Sequence, residues 1–243
     1  MAEIVLVPGF WLGAWAWDAV AQRLRDAGHH VVALTLPGLE SRDADRRSIG
    51  LGDHIGAVVD VVRAAAEPVV LVGHSGAGAV IYGATDAMPE KVSCGVYVDS
   101  GPLPNGVAVA PDLPPDMVEI PLPGWAELEA EGTSVADLDD ETLADFAARA
   151  VPHPAGVPRE PLVLTNPARR KVPVVEFCST FPSAEIRELA AQGMPFFAEL
   201  AHLDVSYVDV PTGHYPMWSR PDQVASTIDR AARQGGVVDG AAI

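Results

Sequence analysis

A serine sits among small residues directly behind an uninterrupted apolar stretch, in Val69-Val70-Leu71-Val72-Gly73-His74-Ser75-Gly76-Ala77-Gly78. An apolar strand that turns tightly through glycines into a helix exposes the serine Oγ at the strand's carboxyl end, which is the geometry of a nucleophile elbow. The Gly76 amide behind it would face an oxyanion developing on an attacked carbonyl. The bland alternative is an N-cap serine in a phosphate-binding loop. Its glycine spacing, however, matches neither the dinucleotide fingerprint nor the P-loop. A second segment, Thr212-Gly213-His214-Tyr215-Pro216-Met217-Trp218, follows another apolar run. A histidine in a loop after the last strand can reach across the sheet edge, take the serine proton and return it to a leaving group. His29, His30, His54, His153 and His202 lack that context and read as surface or packing residues. A third segment, Pro8-Gly9-Phe10-Trp11-Leu12-Gly13-Ala14-Trp15, follows the first apolar run. Loops at that edge lie beside the serine, so the Phe10 or Trp11 amide is a candidate second oxyanion donor. Phe10 and Trp11 are candidate pocket walls, whereas Trp15 and Trp17 read as packing of the first helix.

These residues need a scaffold that brings several strand ends together, and the hydrophobic pattern supplies one. Residues 4–7 form the first strand, followed by a helix over 17–27 that stops at Gly28. Strand 31–36 closes at Pro37-Gly38, a helix spans roughly 51–66, and 69–72 is a continuous apolar strand of the kind covered on both faces. A helix from Gly76 and a strand at 96–98 follow. Alternating strands and helices imply a parallel sheet with right-handed crossovers. The pattern then breaks, since thirteen of the 22 prolines fall from Pro102 to Pro173 and no obvious strand occurs there. Within it, residues 126–148 carry eight acidic groups and no basic one, with Leu128, Leu138, Leu143 and Phe146 as apolar anchors of short helices. This stretch has too few large apolar residues for its own core. The expected organisation is therefore one domain over 1–234 with a cap inserted at about 103–170. The sheet resumes at 172–177 and 205–210, a helix follows near 223–233, and 235–243 is a fraying tail.

Composition sets the outer bounds. The 243 residues are 49% hydrophobic and 20% charged, which excludes a disordered chain. The formal charge of −17 disfavours nucleic acid and anionic membrane surfaces as partners. No apolar run is long enough for a membrane span, and Met1-Ala2-Glu3 carries no basic region of a signal peptide. Cys94 and Cys178 sit in apolar contexts and are too few for a disulfide framework or a zinc site, so buried free thiols in a reducing, cytoplasmic setting are expected. No metal or organic cofactor is expected, because no His/Cys ligand spacing occurs. The expected partner is a small apolar substrate, with a homodimer as the one protein assembly considered.

The chain resembles the α/β-hydrolase fold superfamily, in particular the plant hydroxynitrile lyase and methylesterase group and bacterial serine esterases. The resemblance runs through PGFWLGAWAW at 8–17, GHHVVALTLPG at 28–38, VLVGHSGAG at 70–78, VYVDSGPLP at 96–104 and GHYPMWSRP at 213–221, and is poor in the cap. It implies an α/β fold with a mostly parallel sheet flanked by helices, Ser75 as nucleophile, His214 as general base, and Gly76 and Phe10 as oxyanion amides. Three departures stand out. The last glycine of the elbow is Ala77, and the His-Gly after the first strand is Pro8-Gly9. Where relatives place an Asp after the strand at 172–177, this chain reads Cys178-Ser179-Thr180-Phe181-Pro182. Asp99, at the end of the neighbouring strand, is the first candidate for a displaced acid, with capping of the Ser100-Gly101 turn as its structural alternative. Glu185 is the second candidate, with a helix-start role as its alternative, and a Ser-His dyad without an acid is the third possibility.

The expected activity is an α/β-hydrolase cleaving a small or medium apolar carboxylic ester, thioester or lactone through a Ser75 acyl-enzyme. Trp11, Phe181, Tyr215 and Trp218 are the expected substrate-binding side chains. Two other classes use the same residues. One is a C–C lyase of hydroxynitrile-lyase type, which in the family holds cyanide with a positive residue near the cap, and the cap before Arg149 has none. The other is a non-catalytic ligand-binding protein on a hydrolase scaffold.

Overall fold

The computed structural model describes residues 1–236. In chain order its elements are β1 (Glu3–Val7), α1 (Asp18–Asp26), β2 (His30–Ala33), α2 (Leu51–Ala64), β3 (Val69–His74), α3 (Ala77–Ala87) and β4 (Val92–Val98). Then come β5 (Glu119–Ile120), α4 (Trp125–Ala130), α5 (Asp140–Arg149), β6 (His153–Pro154), α6 (Gly156–Arg159), β7 (Val174–Cys178), α7 (Ser183–Ala191), β8 (Val205–Asp209), α8 (Pro216–Ser219) and α9 (Pro221–Gln234). The second strand is shorter than its apolar run, since the chain leaves the sheet before Pro37. The fourth is longer, extending back to Val92 because Ser93 and Gly95 fit a strand whose other residues are buried. The proline-rich stretch contains one small pairing missed in the sequence, an antiparallel ladder between β5 and β6.

Six strands form one sheet in the order β2-β1-β3-β4-β7-β8, and every neighbouring pair is parallel. All six residues of β3 are buried. Their side chains alternate between two apolar layers: Val69 and Leu71 pack with α2, α3 and α7, whereas Val70 and Val72 pack with α1 and α9. Two-sided burial of a parallel sheet explains why this strand reads as a continuous apolar run. After β2 the chain crosses back over β1 to build β3, then proceeds outward through β4, β7 and β8. The order therefore reverses between β1 and β3, and the crevice outside their carboxyl ends is where such sheets accept ligands. The two loops with the most suggestive residues leave the sheet at that point.

Helix termini are fixed by local chemistry. Asp53 accepts from the Gly50 amide at 2.8 Å, and Glu160 accepts from Leu51 N at 2.7 Å, together closing the start of α2. Asp139 caps α5 by accepting from Thr142 N. Helix α9 ends at Gly235 in the left-handed region, and of the tail expected at 235–243, residues 237–243 lie outside the described residues. Cys94 and Cys178 are buried and unpaired.

A buried polar cluster ties α3 to the segments on either side of β7. Glu199 accepts from Tyr82 Oη at 2.6 Å, Arg170 at 2.9 and 3.0 Å and Arg169 at 3.3 Å, and Arg169 also reaches Asp86 at 3.2 Å. Removing the shared acceptor leaves a buried guanidinium and a buried hydroxyl short of partners. Glu199→Leu is therefore expected to lower the unfolding free energy by about 3 kcal/mol in urea titrations at neutral pH. Asp60→Ala, which breaks an exposed pair with Arg63, should leave the midpoint unchanged.

Candidate active site

Ser75 follows β3 with φ at 54°, in the left-handed region that a serine seldom occupies. The turn is braced on both sides. Ser75 N donates to Val98 O at 3.2 Å, Ser100 Oγ donates to Ser75 O at 2.5 Å, and Gly78 N donates to the same carbonyl at 3.0 Å. Close approach demands glycine nearby: a Cβ on Gly9 would lie 2.9 Å from Ser75 Cβ and 2.8 Å from His74 Nδ1. A Cβ on Gly76, the residue opening α3, would run into the Phe10 ring.

His214 lies in the loop between β8 and α8, and its Nε2 is 2.8 Å from Ser75 Oγ. Its Nδ1 is 2.5 Å from Asp99 Oδ2. The loop is held by contacts the sequence did not suggest. His214 N donates to Ser134 O at 2.7 Å, Thr212 Oγ1 donates to Asp137 Oδ2 at 3.0 Å, and His74 Nε2 donates to His214 O at 2.7 Å.

Asp99 stands immediately after β4, with φ at 44°. Beyond the imidazole, its carboxylate accepts from Thr180 N at 2.8 Å, Thr180 Oγ1 at 2.7 Å and Ser179 N at 3.3 Å. Burial works to raise its pKa. The hydrogen bond and charge of His214 and the two Thr180 donors outweigh that, holding the carboxyl well below its usual range. The segment Ser179-Thr180, where a family acid is missing, thus donates to an acid arriving from the next strand. Glu185 sits exposed in the first turn of α7.

Beside these groups lies a cavity of about 260 Å³. Ser75, Gly76, Asp99 and His214 are at its wall, with Leu103, Val109, Thr133, Phe181, Ile186 and Phe197 supplying much of the rest. Of the aromatic residues expected to bind substrate, Phe181 lines it, and Trp11, Tyr215 and Trp218 do not. Those three serve packing instead. Trp11 spends its indole N–H on Ile120 O at 3.0 Å, while Tyr215 stacks on Trp218, which stacks on Trp15, all against Phe146. Phe10 lies between the two roles, covering Gly76 and stacking on His153 at 4.1 Å. Phe196, Phe197 and Ile186 were not singled out in the sequence, because nothing in a local pattern says that α7 and the turn after it lean over Ser75.

A further residue was overlooked. Glu176 interrupts the apolar run of β7, is 1% exposed and also lines the cavity. Its presence inside a fully buried strand was a readable signal. Burial, with the nearby Asp99 charge, pushes its pKa well above the ordinary carboxyl value.

The family model for the alpha/beta hydrolase family matches residues 4–227. The chain belongs to the alpha/beta hydrolase family. Among curated proteins, the chain is 37% identical over 123 residues to the carbendazim hydrolyzing esterase of Nocardioides sp. (strain SG-4G), covering 48% of the chain and 51% of the relative. It is also 37% identical over 102 residues to methylesterase 8 of Arabidopsis thaliana, covering 40% and 37% respectively. The matches thus span about half or less of these relatives' lengths. Among solved structures, the Arabidopsis methylesterase MES16 superposes with a TM-score of 0.75 at 18% identity, over 96% of this chain and 100% of that one. An extracellular alpha/beta-hydrolase from a Paenibacillus species gives 0.75 at 21% identity, over 96% and 99%. Both show the same fold. Among the described residues, no helix is long and apolar enough to cross a membrane.

The titrating groups of the protein set its response to acid. Burial holds His74 down to about 3, assisted by the charge of His214, and burial also lowers His54 and, with the His54 and Arg46 charges, His153. His74 and His153 stay neutral in the fold and take up protons on unfolding once the pH drops below about 6.5, and the lowered His54 acts in the same direction. Glu176 acts in the opposite sense, being protonated in the fold and ionised when unfolded above about pH 4.3. Unfolding between pH 6 and 5 should therefore bind protons net, so stability falls as pH falls through that window. Urea midpoints measured at half-unit steps check this, and His153→Phe should make the slope shallower by close to one proton.

Proposed function

We propose that this protein is a serine hydrolase of small or medium apolar carboxylic esters, with thioesters and lactones as near relatives of the substrate. One observation carries the reading: Ser75 Oγ, the His214 ring and the Asp99 carboxylate form a continuous hydrogen-bonded line, at 2.8 and 2.5 Å, that opens on an apolar cavity. In the proposed mechanism Ser75 Oγ attacks the ester carbonyl while its proton passes to His214 Nε2. Asp99 keeps Nδ1 protonated, so Nε2 is the basic nitrogen, and then stabilises the imidazolium. The Gly76 and Phe10 amides are the proposed donors to the tetrahedral oxyanion. Collapse expels the alcohol, which takes the proton from His214, and water attacks the acyl-enzyme by the same route to release the acid. No cofactor enters this scheme.

The esterase and methylesterase names among the relatives support ester cleavage. Among the described residues, the cavity lining contains no lysine or arginine that would hold a cyanide leaving group, which favours hydrolysis over C–C cleavage.

The test combines a fluorophosphonate probe with p-nitrophenyl esters of increasing chain length. Wild type should label and turn over. Ser75→Ala and His214→Ala should lose both properties, and Asp99→Asn should retain the fold while kcat falls by about 10⁴. Near-wild-type turnover by Asp99→Asn would remove Asp99 from the mechanism. A folded wild type that neither labels nor turns over would overturn the hydrolase reading.

A further inference from the structure

Glu176 has no task in the scheme above, yet its position is chemically costly. Its neighbours Val175 and Phe177 face the layer of α1 and α9, so Glu176 faces the opposite layer, where the cavity lies. Its Oε1 has no hydrogen-bond partner, and a Cβ built on Gly101 would lie 3.8 Å from it. A buried polar atom left unpaired costs about 1–3 kcal/mol, and native proteins rarely leave one so without a use for it. Beside its polar residues, the wall of the same cavity carries the apolar Leu103, Val109, Ile186 and Phe197. A leucine at position 176 would satisfy that wall at no polar cost.

We propose that Glu176 is a specificity residue that recognises a hydroxyl group carried on the acyl chain of the substrate. This rests on the ester-hydrolase reading and deepens it. A protonated carboxyl offers one donor and one acceptor, and a hydroxyl is the small neutral group that satisfies both. A substrate carboxylate would instead meet the ionised Asp99 in the same cavity. An ammonium would have to shed its water among the apolar wall residues. Sites built to bond a polar substrate group discriminate strongly against the analogue lacking it, because the protein's own group is then left unpaired.

The measurement is kcat/KM for methyl hexanoate and its 4-, 5- and 6-hydroxy derivatives, followed by acid release, in wild type, Glu176→Gln and Glu176→Leu. Fluorophosphonate labelling of Ser75 is recorded in each. Wild type should prefer one hydroxy ester over hexanoate by about ten-fold or more. Glu176→Leu should invert that ratio as hexanoate improves, and Glu176→Gln, whose amide also donates and accepts, should keep most of the preference. A wild type that labels and hydrolyses hexanoate but favours no hydroxy ester overturns this inference alone, whatever the variants do. An unchanged ratio in all three proteins does the same. Absence of both labelling and hydrolysis in wild type overturns the hydrolase reading, and the Glu176 proposal with it.

Discussion

The turn at Ser75 is the constraint on which the rest of the molecule is arranged. A serine held at positive φ costs on the order of 1–3 kcal/mol and persists only where its surroundings over-determine it. Here the bracing comes from three directions: the end of β4 takes the Ser75 amide, Ser100 donates to its carbonyl, and α3 begins on that same carbonyl. Each brace is available only because β4 pairs with β3 in parallel register and α3 folds back against the sheet. The fully buried β3 anchors the base of the turn, so its conformation is set by the core rather than by the loop itself.

The same register places Asp99. Ser75 and Asp99 follow adjacent strands, and the parallel ladder brings the two strand ends level. Asp99 also adopts a positive φ, a region that aspartate tolerates better than most residues. The chain after β7 then donates to the carboxylate through Ser179 and Thr180, so three consecutive strand ends share one ionised group. The negative charge is stabilised by these donors, and it stays hydrogen-bonded to His214 although it is buried.

Much of the architecture was legible because two-sided burial writes itself as apolar runs, and because glycines accumulate where backbones touch. Ser75 and His214 stood out for the same reason, being reactive types set just after such runs. Asp99 was ambiguous in one dimension, since an acid that caps its own turn and one that reaches a distant imidazole look alike until strand order is known. Trp11, Tyr215 and Trp218 resembled pocket residues by type. Side-chain direction is a tertiary property, and here it turned them toward Phe146 and Ile120. The buried state of His54 and His153 was equally invisible, because nothing local shows that the segment before α6 folds down over α2. Glu176 was visible but was passed over as an ordinary strand residue.

The proline-rich segment between β4 and β7 does more than enclose the cavity. Ser134 O holds the His214 amide, Asp137 holds Thr212 and Arg220, and Gly213 lies against the backbone of residues 134–136 with no room for a side chain. The imidazole is thus suspended from the cover rather than from the sheet alone. Lifting residues 134–137 would draw the imidazole away from Ser75 in the same movement. An open molecule would lack the Ser75–His214 hydrogen bond, and that contact would return only when the cover has come down over whatever occupies the cavity.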